Sequence, residues 1–423
     1  MSTTREEIGL EPALKDGSVP AGDPPQRSGL AGLLLANLRT GNLGIVPIVI
    51  GQIVIVVFFG FTATNFFTAI NFGNIIIQMA GTTMLAYGVV FVLLLGEIDL
   101  SIGYIAGIGA LTVAELQLPG SGHDVSGLVA IPIAVAVCAA IGLVQGTVIA
   151  RIGVPSFVVT LAGYLVLEGI MLVAIGIRGS IIIQDHWIND TANYYLSPLA
   201  GWIIATLFTA IYATIRLGPI LRARPPRARN LLLRRVAGVA TVAIACYGTV
   251  AICNHATVAD RHLGLPFAAV LMVIFLVALA FLAKRTTFGR HVYAVGGNAE
   301  AARRAGINVA RIRILVFMIS AATASIGGIM LAAYVNSVAL TFPPGTLLLN
   351  SIAAAVIGGV SLFGGRGEVR GAFLGSLVIA TVSNGLNTAG YSAGTIYVVT
   401  GLILLFAVTL DTVGRRLQVH SGR

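Results

Sequence analysis

The chain has 423 residues, of which 57% are hydrophobic and only 10% charged, with a mean hydropathy of +0.94. A soluble domain carries about 25% charged residues, so composition excludes an ordinary soluble globule and points to a polytopic membrane protein. The net charge of +10 is no nucleic-acid signature, because the cations are sorted by loop rather than gathered on one face.

Residues 1–41 form a polar, Pro- and Gly-bearing segment read as a cytoplasmic, mostly disordered tail, with a short amphipathic piece near 30–38. Nothing in it reads as a secretory signal. Apolar runs follow at about 43–61, 75–95, 102–117, 128–150, 157–176, 199–215, 236–253, 265–283, 313–334, 348–363, 371–389 and 393–410. With the N-terminus inside, the inward loops collect 24 of the 26 Lys and Arg residues; Arg178 and Arg261 are the exceptions. The expectation is all-α: a helical bundle of about twelve transmembrane helices with both termini cytoplasmic. Its membrane-embedded body spans 42–412, and 413–423 is a second cytoplasmic tail. Run 102–117 is short enough to be re-entrant. Demoting it would put the loop 216–235, with seven arginines and no acid, outside, so it is kept as a span.

The second and third runs are separated by Gly96-Glu97-Ile98-Asp99-Leu100-Ser101-Ile102-Gly103. Two acids directly after a long apolar run are costly at membrane depth and would have to face a cavity or hold broken backbone. The alternative is a tight cytoplasmic turn with solvated carboxylates. A related frame recurs at 358–365, GGVSLFGG, and hints at an internal duplication. Within the spans, Asn71, Asn74, Gln78 and Thr82 share one helix face, and Ser383, Asn384 and Asn387 share another. Such amides either glue helices together or line a path; Asn74, Gln78, Glu97, Asp99, Ser101, Asn384 and Asn387 are the path candidates. Glu168 is the one acid well inside a run. Gly103/Gly107 and Gly142/Gly146 allow close helix packing.

No catalytic constellation accompanies these features. The only lysines are Lys15 and Lys284, and neither follows a glycine, so a Walker A loop is impossible. Metal-ligand spacings and the nucleophile-elbow pattern are also missing. Gly365-Arg366-Gly367 lacks the strand and helix of a dinucleotide site. Cys138, Cys246 and Cys253 read as small apolar packing residues, the last two being too far apart along a helix for a bridge.

The segment 284–313 is a basic island holding Lys284, Arg285, Arg290, Arg303, Arg304, Arg311 and Arg313 against the single acid Glu300. Inside it a short helix is punctuated by Asn298 as N-cap, Glu300 in the first turn, Arg303 and Arg304 in the last, and Gly306 as stop. A two-turn helix does not persist alone in water, so it needs a partner surface. An ordinary cytoplasmic loop is the plainer reading.

Thr287-x-Gly289-Arg290-x-x-Tyr293-Ala294-x-Gly296-Gly297-Asn298, with Ala301-Ala302-Arg303 and Gly306-Ile307-Asn308-Val309, resembles the coupling loop of sugar-importer ABC permeases of the ribose/xylose/galactose class. The segment 96–103 is similar to that family's GGIDLSVG, 358–367 to its GGxSLxGGxG, and Ser383-Asn384-Gly385-Leu386 to its late NGL element. The extra helices and basic loop at 199–264 look most like D-xylose-type permeases. Two positions depart: Glu97 stands where the family usually has Gly, and Glu168 where it often has Arg. The resemblance implies a subunit without chemistry of its own, a non-enzyme that dimerises in the bacterial inner membrane. It implies a periplasmic sugar-binding protein on one side and, on the other, an ATP-binding subunit that holds ATP and Mg. Gly289, Arg290, Gly297, Asn298, Glu300, Ala302, Arg303 and Gly306 would form the contact with that ATPase, Ala302 lying mid-helix on the docking face. No cofactor or nucleic acid is expected in this chain. The competing reading is a proton-coupled secondary sugar transporter with Glu97, Asp99 and Glu168 as relay groups.

Overall fold

Every apolar run of the sequence coincides with a helix in the computed structural model, which describes residues 46–118, 124–223, 228–258 and 261–420. The N-terminal tail with its amphipathic piece, and the tip of the arginine-rich loop at 224–227, lie outside the described residues. In chain order the helices are α1 (Val46–Thr62), α2 (Ala69–Leu94), α3 (Ile102–Leu116), α4 (Gly127–Thr147), α5 (Ser156–Ile175), α6 (His186–Asn193), α7 (Pro198–Ala223) and α8 (Ala228–Asn254). They continue as α9 (Phe267–Arg285), α10 (Thr287–Gly297), α11 (Ala299–Arg304), α12 (Val309–Val335), α13 (Pro344–Ile357), α14 (Val369–Thr388) and α15 (Ala393–His420). Among the described residues eight helices are long and apolar enough to cross a membrane. The apolar parts of α1, α3, α13 and α15 are shorter.

Two small antiparallel ribbons accompany the helices. β1 (Ser180–Ile182) pairs with β4 (Ser337–Ala339), Ile181 opposite Val338, and β2 (Thr257–Val258) pairs with β3 (Arg261–His262). The all-α expectation is amended to that extent. The arginine-rich loop 216–235 is largely helical, since α7 runs through Pro219 to Ala223 and α8 begins at Ala228. Across that joint Arg235 donates to the carbonyl of Arg216 at 2.9 Å.

The centre of the bundle is α2. Every residue from Met79 to Leu95 is buried, enclosed by α12, α14 and α13. Small residues make this possible: Gly81 backs on to Gly327 and Leu331 of α12, and Gly88 on to Ser320 and Thr323 one further stretch along. The Gly142/Gly146 pair does the same for α4, which lies against Phe317 and Ile314 of α12. The outer helices are the reverse. Leu161, Leu165, Val166, Ile170 and Val173 of α5 and Ile203, Leu207, Ile211 and Ile215 of α7 are all exposed. An apolar surface of that extent is untenable in water and ordinary against lipid tails.

Local capping fixes where these helices start. Thr68, Thr286, Asn298 and Asn308 each cap the following helix by accepting from a backbone N–H three residues on. Asp185 caps two at once: its carboxylate takes the Gly127 N–H of α4 at 2.9 Å and the Ile188 N–H of α6 at 3.2 Å. All three cysteines are free.

Candidate functional site

The turn after α2 answers the question left by its two acids, and neither stands free in solvent. Gly96 takes a positive φ of 76° to turn the chain out of the helix. Glu97, with its side chain 13% exposed, pairs with Arg313 of α12 at 3.1 Å. Asp99 is 5% exposed. One of its oxygens accepts from the Ser101 N–H at 2.9 Å and the Ser101 hydroxyl at 2.6 Å. Ser101 in turn meets Gln145 of α4, whose amide donates to its hydroxyl at 3.0 Å. Burial pushes the Asp99 carboxyl up to about 6, against the pull of the Ser101 and Ile102 hydrogen bonds. The solvated-carboxylate reading is therefore corrected for both residues. Their places are taken by an ion pair and a helix-start network, because α12 and α4 pack directly over the turn. Glu168 sits apart, half-buried on α5, on the side of Tyr104 and Tyr164.

The second break, 358–365, lies directly against the first. Gly365 donates to the Leu94 carbonyl at 2.9 Å, and a methyl group on Gly364 would come within 3.0 Å of the Gly96 nitrogen. Gly364 and Gly365 both take positive φ. A third segment closes on the pair, for Gly296 of α10 abuts the Leu94 carbonyl and the Gly365 nitrogen. Tyr293 locks this joint by donating its hydroxyl to the Gly367 carbonyl at 2.7 Å. Lys284 pairs with Glu368 at 3.0 Å and lies over the Tyr293 ring. The basic island thus holds two helices, of which the sequence reading anticipated one. The missed helix, α10, had a signal in the Thr286 cap and in Val292 and Val295, which are buried.

The anticipated helix, α11, is punctuated as expected. The Asn298 side chain accepts from the Ala301 N–H at 2.9 Å, Glu300 pairs with Arg303 at 2.7 Å, and Gly306 ends it at a φ of 83°. Ala302 is the correction. It is 5% exposed and turned into the chain's own core. The outward surface is instead made by Gly297, Asn298, Glu300, Ala301, Arg303, Arg304, Ala305 and Gly306. Gly289 is buried at the start of α10 and Arg290 is exposed.

The two polar stripes meet in the interior. Asn384 of α14 donates to Gln78 of α2 at 3.5 Å, and Gln78 donates to the Tyr334 hydroxyl at 3.3 Å. Beside them a cavity of about 110 Å³ is lined by Gln78, Thr82, Asn350, Ser376 and Ser383 with Ile379 and Ala380. Asn350 and Ser376 escaped the sequence reading, though Asn350 is the only amide in its apolar run. Not every stripe member joins in. Asn71 donates to the Phe66 carbonyl at 3.0 Å and closes the turn before α2, Asn387 is exposed, and Asn74 is half-buried. Among the described residues no group of three or more His, Cys, Asp or Glu could hold a metal.

A bundle jacketed in apolar side chains, with a neutral polar chamber inside it and a basic two-helix element at its turns, defines a helical membrane transport protein. The family described as "Branched-chain amino acid transport system / permease component" matches residues 71–408. Xylose transport system permease protein XylH of Escherichia coli K12 is 32% identical over 391 residues, 90% of this chain and 95% of the relative. Its namesake from Haemophilus influenzae is also 32% identical, over 90% and 99%. Ribose import permease protein RbsC of E. coli K12 is 30% identical over 86% and 92%. No solved structure matches the chain significantly. The chain belongs to this permease family, in its ribose/xylose-type sugar ABC branch, whose members are multi-pass proteins of the inner membrane.

Proposed function

We propose that this chain is the membrane subunit of an ATP-driven importer that carries a monosaccharide, a xylose-like pentose in the first instance, from the periplasm or exterior to the cytoplasm. It crosses the membrane twelve times with both termini cytoplasmic, and the sorting of its cations supports that topology. It works as a homodimer with an ATP-binding subunit, which holds ATP and Mg, and with a periplasmic sugar-binding protein. The observation that carries the reading is the basic element α10–α11. It exposes a small-residue pad at Ala301 and Ala305 rimmed by Glu300, Arg303 and Arg304, while its inner face rests on both breaks. A push on that pad reaches the turns of α2 and α14 through main chain. Proton relay through Glu97, Asp99 and Glu168 has less support, because Arg313 and Ser101 hold the first two carboxylates and Glu168 sits apart on α5 beside Tyr104.

The test is uptake of labelled D-xylose and D-ribose by the assembled importer in vesicles. Uptake should require ATP inside and persist with a protonophore when ATP is maintained. Uptake that ignores ATPase inhibition and collapses with the protonophore would overturn the proposal in favour of the relay.

A further inference from the structure

The cavity between α2, α13 and α14 contains a buried hydroxyl with nothing to bond. Ser376 is 1% exposed, it lines the cavity, and its Oγ has no hydrogen-bond partner. Asn384, 4% exposed and in contact with Gln78 on the cavity wall, likewise leaves its Oδ1 unpaired. A buried polar atom left unpaired costs about 1–3 kcal/mol, so the Ser376 hydroxyl on the chamber wall marks a place where a partner is brought in from outside, with Asn384 behind Gln78 as its support. The volume of about 110 Å³ compares with roughly 10–15 Å³ for one water on the same measure, and so accommodates a small solute or its hydration shell.

The lining also says what kind of solute. Amides and hydroxyls from Gln78, Thr82, Asn350, Ser376 and Ser383 supply donors and acceptors together, and no charged side chain is among them. An amino acid would carry an ammonium and a carboxylate into the site, and both charges would lie desolvated there without a counter-ion. A polyhydroxylated neutral molecule would satisfy the same groups, each hydroxyl donating once and accepting twice.

We propose that this chamber is a subsite for a neutral, polyhydroxylated solute of pentose size, with Ser376 on its wall contacting the solute and Asn384 positioning Gln78 from behind. The proposal rests on the importer reading given above and adds to it the site within the bundle.

The experiment uses the complete importer, permease with its ATP-binding subunit and binding protein, in proteoliposomes. Uptake of D-xylose, D-ribose and L-valine is measured together with ATP hydrolysis, both normalised to assembled complex. The unaltered importer should take up a pentose and not valine. Ser376→Ala and Asn384→Leu should each lower pentose uptake tenfold or more while ATP hydrolysis stimulated by the liganded binding protein stays within twofold. Ser376→Ala removes only the unpaired hydroxyl and so serves if Asn384→Leu fails to assemble. Normal uptake per ATP in Ser376→Ala, or valine uptake by the unaltered importer, overturns the subsite. A parallel fall of uptake and hydrolysis overturns it too, since the residues would then act on assembly. Failure of the unaltered importer to move either pentose or valine with ATP is a different result, and falls on the importer reading itself.

Discussion

The carboxylate of Glu97 lies 3.1 Å from the guanidinium of Arg313, tying the turn that leaves α2 to the first turns of α12. Arg313→Ala should destabilise by about 2–4 kcal/mol, because Glu97 is left buried without a partner. Glu97→Gln should cost less, because Arg313 is more exposed, and the pair of changes together less than their sum. Thermal unfolding of the four proteins in detergent measures the coupling. A coupling energy of zero would mean the contact contributes nothing.

Asp99 predicts a pH dependence of definite sign. Its folded-state value of about 6 lies above the ordinary 3.8, so between those limits the folded chain keeps a proton that the unfolded chain has lost. Stability from this group is full below about pH 4 and falls as pH rises toward 6. Asp99→Asn retains an acceptor for Ser101 and should remove that dependence. The variant should gain up to roughly 3 kcal/mol at neutral pH relative to the parent. Unfolding midpoints from pH 4.5 to 7.5 test this; an unchanged difference across the range would assign the titration elsewhere.

Substitutions on α11 should separate packing from docking. Ala302 is enclosed, so Ala302→Glu buries a charge and should lower the melting temperature and the yield of the permease itself. Ala301 and Ala305 are exposed, so glutamate there should leave the fold intact and reduce co-purification of the ATP-binding subunit severalfold. Full recovery of that subunit with both surface variants would remove α11 from the interface.

Two adjacent glycines give an internal control. A methyl group on Gly296 collides with the Leu94 carbonyl, whereas around Gly297 nothing lies within 4 Å. Gly296→Ala should therefore cost about 1–3 kcal/mol or more through a forced backbone shift, and Gly297→Ala should be close to neutral. Equal melting temperatures would contradict the packing of α10 on the first break.

Topology is open to labelling. In a variant lacking Cys138, Cys246 and Cys253, a cysteine at Ala228 or at Ala305 should resist an impermeant thiol reagent in intact cells and react in permeabilised ones. Ready reaction at Ala228 alone would break the twelve-span arrangement between α3 and α8.

Much of this was legible in the residues, for identifiable reasons. Helices in a membrane are specified by long apolar runs, which is why the apolar helices fall within a few residues of those runs, except where polar ends extend them, as at Pro198–Ala223, and at 348–363, where the helix ends at Ile357 and the apolar run continues into the glycine-rich break. The caps at Asn298 and Gly306 are local chemistry and hold. The approach of Gln78 to Asn384 was hinted at by two stripes but needed the fold to be seen as one site. What escaped depends on contacts distant in sequence. The β1–β4 ribbon joins Ser180 to Ala339, α10 rests on both breaks, and Ala302 turns inward because the chain offers it a hydrophobic seat. Spacing along a short helix marks its faces but not which of them meets the protein.

The joint of Gly96, Gly296, Gly364 and Gly365 has a mechanical consequence. Side chains ordinarily cushion a moving interface, since a rotamer can swing and absorb an ångström of travel. Where peptide planes touch peptide planes, as Gly296 touches Leu94 and Gly365, there is no rotamer to swing. A displacement of α10 must then be passed on at nearly full stroke to the end of the most deeply buried helix, so the joint behaves as a stiff linkage with little backlash.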